Sequence, residues 1–197
     1  MTAMDRRDAV RRLLLDRGNL VVVAGLGASA YDIAATGDTS LDFPLWGAMG
    51  GAAMVGLGLA IAQPARTVLV ITGDGEMLMG MGSLATIAVD RPANLRIVVL
   101  DNERFGETGN QRTHTASGTD LAAVAKGCGF ADVRTVPALA DIDRLRADLH
   151  RAGGGPLFAV IKIGTAPEPK ALPPRDGPYL THRLRAALLG AGGALDD

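Results

Sequence analysis

Two short stretches of this 197-residue sequence place oxygen-bearing side chains where a folded chain does chemistry. Gly73-Asp74-Gly75-Glu76 closes the apolar run Thr67–Thr72, and Asn102 follows the apolar run Leu95–Leu100, with twenty-six residues (76–101) between Gly75 and Asn102. Short Val- and Ile-rich runs read as buried strands, so both strands deliver a polar group to one edge of a sheet. In an open parallel sheet, ligands bind beyond the carboxyl ends of the strands. Asp74 offers a carboxylate oxygen and Asn102 an amide oxygen, and a loop carbonyl shortly after Asn102 offers a third. Magnesium takes oxygen ligands in near-octahedral geometry and completes its shell with phosphate oxygens and water. Gly73 and Gly75 allow backbone N–H groups to approach a phosphate, and the helix expected after Met81 would add its positive end. Either motif alone also fits a tight turn. The pair, each member at a strand end, points to a metal and phosphate site.

The elements needed to position these groups are legible from periodicity. Asp5–Arg17 reads as an amphipathic helix and Leu20–Ala24 as a short buried strand. Gly50–Gln63 reads as a buried helix whose small residues permit close approach to a sheet. Gly82–Val89 reads as a helix stopped by Asp90-Arg91-Pro92, and Arg104–Gly118 as an irregular polar loop. Asp120 caps a helix to Lys126, Asp132–Thr135 forms a strand, Ala138–His150 a helix and Pro156–Ile163 a last buried strand. A Pro-rich arm, Ala166–Pro178, leads to a helix over Thr181–Leu189. Near-continuously apolar strands alternating with helices predict an α/β fold, a parallel sheet covered on both faces. One domain, residues 1–197, with a C-terminal arm over 166–197, is expected at this length.

Composition excludes several classes. Twenty basic against twenty-one acidic residues leave no electrostatic footprint for nucleic acid or an anionic membrane. The single cysteine, Cys128, rules out multi-cysteine clusters and reads as packing on an apolar helix face. Residues 43–65 carry no charge, yet Pro44, Pro64 and repeated glycines argue against a membrane span. The N-terminus lacks the apolar run of a secretory signal, so a cytoplasmic protein is expected.

The Gly73-Asp74-Gly75…Asn102 pattern resembles the cofactor motif of thiamine diphosphate enzymes, and Gly47-Ala48-Met49-Gly50 resembles the turn that grips the aminopyrimidine ring in that superfamily. The resemblance implies that Asp74, Asn102 and the carbonyl of Arg104 hold magnesium. It implies that Gly73, Gly75 and Glu76 meet the diphosphate, that Gly47 accepts from the exocyclic amine, and that Met49 bends the cofactor. Residues 101–115 and Ala125-Lys126-Gly127-Cys128-Gly129 narrow it: they are similar to sulfopyruvate decarboxylase beta subunits and to the C-terminal half of phosphonopyruvate decarboxylases. That implies a decarboxylase of a small anionic 2-oxo acid. One departure is Glu76, where those relatives commonly carry Ser or Ala; a carboxylate there must turn away from the diphosphate or meet a cation.

Thiamine decarboxylases need a glutamate on a separate pyrimidine-binding domain, and residues 1–75 contain none; the four glutamates are 76, 103, 107 and 168. The expectation is therefore a beta-type subunit of a hetero-oligomer whose alpha-type partner supplies that glutamate. Thr108, Gln111 and His114, with Asn110, Arg112 and Thr113, are the candidate donors to substrate. His114 fits a structural hydrogen bond equally well. A carboligase or transferase subunit, or a cofactor-binding assembly subunit without turnover, uses the same motif. Val21–Ala30 also fits a strand followed by GxGxxA, a dinucleotide pattern. The helix after it is too short for a full crossover.

Overall fold

The computed structural model describes residues 4–151 and 153–193; the ends of the 1–197 domain assignment and the first residues read for a leader lie outside them. The chain runs α1 (Arg6–Leu13), β1 (Val21–Ala24), α2 (Ala28–Ala35), β2 (Asp42–Pro44), α3 (Ala52–Ala62), β3 (Val68–Gly73), α4 (Asp74–Met79), α5 (Ser83–Asp90) and β4 (Leu95–Asp101). A small hairpin, β5 (Arg104–Phe105) and β6 (Gln111–Arg112), precedes α6 (Leu121–Cys128), β7 (Asp132–Val136), α7 (Ile142–Leu149), β8 (Leu157–Lys162) and α8 (Gly177–Gly193). Six strands form one sheet in the order β2-β1-β3-β4-β8-β7, every pairing parallel. The expected α/β class with a parallel sheet is the class found.

Strand alternation divides the core into two faces. Val21, Val23, Val68, Val70, Ile97 and Val99 pack with α3, α5, α6 and Leu184 of α8. Val22, Leu69, Ile71, Val98 and Leu100 pack with α1, α2 and α7. Each fully buried Val, Leu or Ile contributes about 1.5–3 kcal/mol, so a one-residue slip of a central strand would exchange both faces at great cost. Gly56 shows why α3 is built of small residues: a Cβ there would come within 2.3 Å of Val70 on β3. The expected Asp120 cap is found, accepting from the Ala123 N–H, and Asp5 caps α1 in the same way, accepting from the Asp8 N–H.

Three elements differ from expectation. β2 joins the sheet edge beside β1, its register set from Val22↔Asp42 to Ala24↔Pro44; only three residues long, it gives no periodicity to read. The polar stretch after Asn102 is not wholly irregular, because Phe105 pairs with Gln111 in the hairpin. Finally, β3 runs straight into α4 at Asp74, so the helix at the strand end is α4 itself rather than the one after Met81.

Candidate functional site

Parallel pairing of β3 with β4 puts Gly73 opposite Leu100, so Asp74 and Asn102 emerge side by side. Beyond these ends lies a cavity of about 490 Å³. Its polar end is lined by Gly73, Asp74, Gly75, Glu76, Asn102 and Arg104, and its apolar walls include Leu26, Met49 and Phe105. Residues 165–168 and Lys170 of the C-terminal arm also line it. The arm is tied down: Arg7 donates to the Pro169 carbonyl at 2.6 Å, and Trp46 Nε1 donates to the Pro174 carbonyl at 2.7 Å. Glu103 takes a left-handed φ of 61° just after Asn102. That turn lets Asn102 Oδ1 accept the Arg104 N–H at 2.9 Å and folds the hairpin back over the strand end.

Asp74 is 2% exposed. Thr113 Oγ1 donates to its Oδ2 at 2.5 Å, and Thr115 Oγ1 lies 3.2 Å from the same oxygen and 2.9 Å from Asp101 Oδ1. Two hydroxyl protons therefore serve two carboxylates as well as the 2.8 Å contact between the hydroxyls themselves. Burial pushes the Asp74 carboxyl above its ordinary range and the nearby Asp101 charge adds to this, against the opposing Thr113 and Thr115 hydrogen bonds. Asp101 has its own cation, Lys162, at 2.6 Å. Burial works against that ammonium, but the hydrogen bond and charge of Asp101, then Glu103, win and hold its pKa above the usual lysine value. Asp74 has no cation among the described residues. Buried, ionisable and short of counter-charge, it suits a hard cation whose remaining ligands are oxygens. Among the described residues no three His, Cys, Asp or Glu side chains cluster as metal ligands. The donor set is one carboxylate, one amide and backbone carbonyls, which leaves coordination positions for an anionic ligand.

Glu76 turns away from this end. Its carboxylate, 4% exposed, accepts from the Leu26 N–H and the Thr72 hydroxyl on Oε2, each at 2.9 Å, and from the Ala52 N–H on Oε1 at 3.3 Å. The first of the two conditions set by the sequence is thus met. Gly25 is required by this arrangement, since a Cβ there would sit 2.0 Å from Glu76 Oε2. Of the glycines read as a dinucleotide signature, Gly25 therefore serves the Glu76 carboxylate, while a Cβ at Gly27 would meet the Glu107 side chain at 2.6 Å. Gly75 is a glycine because a Cβ would strike the Phe105 ring at 2.7 Å, whereas Gly73 opens onto free space.

The structure brings Gly73, Asp74, Gly75, Glu76, Asn102, Arg104, Met49 and Thr108 onto one cavity. Gly47 is exposed and does not line it; nor do Gln111 and His114, both exposed on the hairpin and the turn after it. Thr108 Oγ1 instead donates to Gln111 Oε1 at 3.1 Å, and Arg112 donates to the Ala116 carbonyl. Thr113, a candidate substrate donor by sequence, is committed to Asp74. Leu26 was not anticipated at the site. Arg7–Glu168 at 3.5 Å and Lys170–Glu107 at 3.5 Å are contacts between distant segments, which no local spacing signals.

Comparison with known proteins bears on this geometry. Residues 23–163 match the family described as "Thiamine pyrophosphate enzyme, C-terminal TPP binding domain". The chain is 37% identical over 140 residues to sulfopyruvate decarboxylase subunit beta of Methanocaldococcus jannaschii, covering 71% of this chain and 73% of that one. It is 40% identical over 159 residues to phosphonopyruvate decarboxylase of Streptomyces viridochromogenes, covering 80% of this chain but only 40% of that longer protein. Among solved structures, benzoylformate decarboxylase from Polynucleobacter necessarius superposes with a TM-score of 0.68 at 19% identity, over 83% of this chain and 34% of that one. A 2-oxoglutarate:ferredoxin oxidoreductase from Magnetococcus marinus superposes with a TM-score of 0.64 at 16% identity, over 94% and 74%. These structural likenesses establish the fold.

Proposed function

The chain belongs to the thiamine pyrophosphate enzymes through their C-terminal binding domain, and from that premise we propose that it is the beta-type subunit of a thiamine diphosphate- and magnesium-dependent 2-oxo acid decarboxylase. The observation that carries this reading is the placement of Asp74 and Asn102 at adjacent strand ends over one cavity, with Asp74 buried and short of a cation. Asp74, Asn102 and the Arg104 carbonyl would hold the magnesium. The Gly73–Glu76 backbone at the start of α4 would meet the diphosphate. Thiamine diphosphate, when bound, supplies a nucleophilic carbon and an electron sink for the bond broken as carbon dioxide leaves. The protein's part is to bind, orient and exclude water. Leu26, Met49 and Phe105 line the cavity with apolar surface suited to the rings, and Met49 is the residue assigned to bending the cofactor. Thr113 and Thr115 orient the Asp74 carboxylate. Gly47, exposed beside the cavity, is assigned to the aminopyrimidine, on a side to be completed by another chain.

That other chain is an alpha-type, pyrimidine-domain subunit bringing the glutamate that residues 1–75 lack. Relatives of similar length carry the name "subunit beta", while the phosphonopyruvate decarboxylase matched here is far longer. Residues 1–197 then form one diphosphate-side domain, residues 166–168 and Lys170 of the C-terminal arm lining the cavity. The substrate is a small 2-oxo acid with a sulfonate or phosphonate group; Thr108, which lines the cavity, is assigned to contact it, and Gln111 and His114, exposed outside the cavity, are assigned to it on the side the partner completes. Among the described residues no helix is long and apolar enough to cross a membrane, and a cytoplasmic location is part of the proposal. The test is carbon dioxide release from sulfopyruvate and phosphonopyruvate by the chain alone and with its co-expressed partner. The expected result is turnover of at least one substrate by the pair and negligible turnover by the chain alone. Full turnover by the chain alone would remove the partner, and no turnover of either substrate by the pair would remove the decarboxylase.

A further inference from the structure

Glu76 is the second buried carboxylate of α4, and its surroundings differ from those of Asp74 in kind. It sits where three separate segments converge. Its Oε2 takes the Leu26 N–H from the β1–α2 turn and the Thr72 hydroxyl from β3, and its Oε1 takes the Ala52 N–H at the start of α3. Two of those segments carry apolar cavity walls: Leu26 is itself a lining residue, and Met49 lies three positions before Ala52 on the turn leading into α3. α3 has no side-chain cap at Gly51, so the carboxylate's bond to the Ala52 N–H, the first of that helix, replaces local capping with a tie across the fold. Gly25 completes the fit by leaving the carboxylate its space.

We infer that Glu76 is a positioning residue that holds the Leu26 and Met49 walls at a fixed distance from the diphosphate end, and so selects for the ring portion of the cofactor. The inference rests on the cofactor reading given above. The two backbone donors bind different oxygens of the carboxylate. A glutamine of the same shape can therefore accept only one of them and must turn an N–H toward the other. Leaving a buried donor unsatisfied loosens one wall, while Asp74, Asn102 and their hydroxyl partners stay untouched.

The experiment compares wild type, Glu76→Gln and Gly25→Ala as full-length chain with the co-purified partner. Calorimetry measures binding of thiamine diphosphate and of inorganic diphosphate, each with magnesium. Both variants are expected to weaken thiamine diphosphate about tenfold, the size expected for one buried donor left unpaired, and Gly25→Ala, which lies outside the diphosphate end, to change magnesium diphosphate by less than about twofold. Equal weakening of both ligands by Gly25→Ala, or no weakening of thiamine diphosphate by either variant, would overturn the inference. Amide hydrogen exchange supplies an arm free of cofactor. Leu26 and Ala52 should lose protection in Glu76→Gln while Leu69–Ile71 of β3 keep theirs; unchanged protection at Leu26 and Ala52 would also overturn it. A wild-type protein that binds magnesium diphosphate but not thiamine diphosphate would overturn the cofactor reading instead, and the exchange arm would still decide whether Glu76 holds the walls.

Discussion

The two ends of the sheet bury charge in opposite ways. At the amino end of β4, the Arg96 guanidinium is 2% exposed and its two terminal nitrogens donate to five carbonyls, those of Ala93, Leu95, Arg151, Gly153 and Gly155. Only its Nε lacks a partner. Burial lowers the Arg96 pKa from the ordinary arginine value, with a further contribution from the nearby Arg151 charge. Almost all of its hydrogen-bonding capacity is spent on closing the loops beneath the sheet. At the carboxyl end, Asp74 takes the Thr113 hydroxyl, shares the Thr115 hydroxyl with Asp101, and has no cation among the described residues. A buried charge supplied by its own fold is structural, and one left short of counter-charge is a candidate binding site. The comparison separates scaffold from site without reference to any relative.

The largest test of that contrast is Asp74→Ala. It should weaken magnesium-dependent cofactor binding by more than about 100-fold, since loss of outer-shell partners alone costs about 10–100-fold. Its effect on thermal stability should be small or favourable, because it removes a buried charge. Arg96→Met should do the reverse: it leaves five carbonyls without a donor and should cost about 3 kcal/mol in denaturant unfolding while cofactor affinity in the folded fraction stays unchanged. A smaller effect belongs to Thr115→Val, which takes one hydroxyl from the carboxylate pair; about a tenfold loss in magnesium affinity is expected, measured by titration at saturating cofactor. The smallest effect is on pH. The Asp74 pKa is raised on folding, so its contribution to the stability of the metal-free chain is fully present below the ordinary carboxylate value of 3.8 and lost as pH rises through the higher folded value. Magnesium must displace the proton, so cation binding should release protons within that window. Asp74→Asn should abolish both signatures in calorimetry run in buffers of different ionisation enthalpy.

The strands and most helices were legible because burial on both faces leaves long apolar runs such as Thr67–Thr72 and Leu95–Leu100. The polar end of the cavity was legible for the same reason, since a polar residue following such a run must emerge at the sheet edge. Strand β2 was not, being three residues at an edge with no repeat to show. Thr113 read as a loop donor and Thr115 was not singled out, because their reach to Asp74 depends on the left-handed turn at Glu103, which no pattern marks. Glu76 could be flagged as out of place beside a diphosphate. Its partners at Leu26 and Ala52 lie 50 and 24 residues away and become visible only in three dimensions.

The measurement that bears most directly on the central claim is a calorimetric titration of the full-length chain, with its co-purified partner, with thiamine diphosphate in the presence and absence of magnesium. Saturable binding that requires magnesium and disappears in Asp74→Ala is the predicted result. Binding that ignores the divalent ion and survives Asp74→Ala, or no binding with magnesium present, would contradict the account.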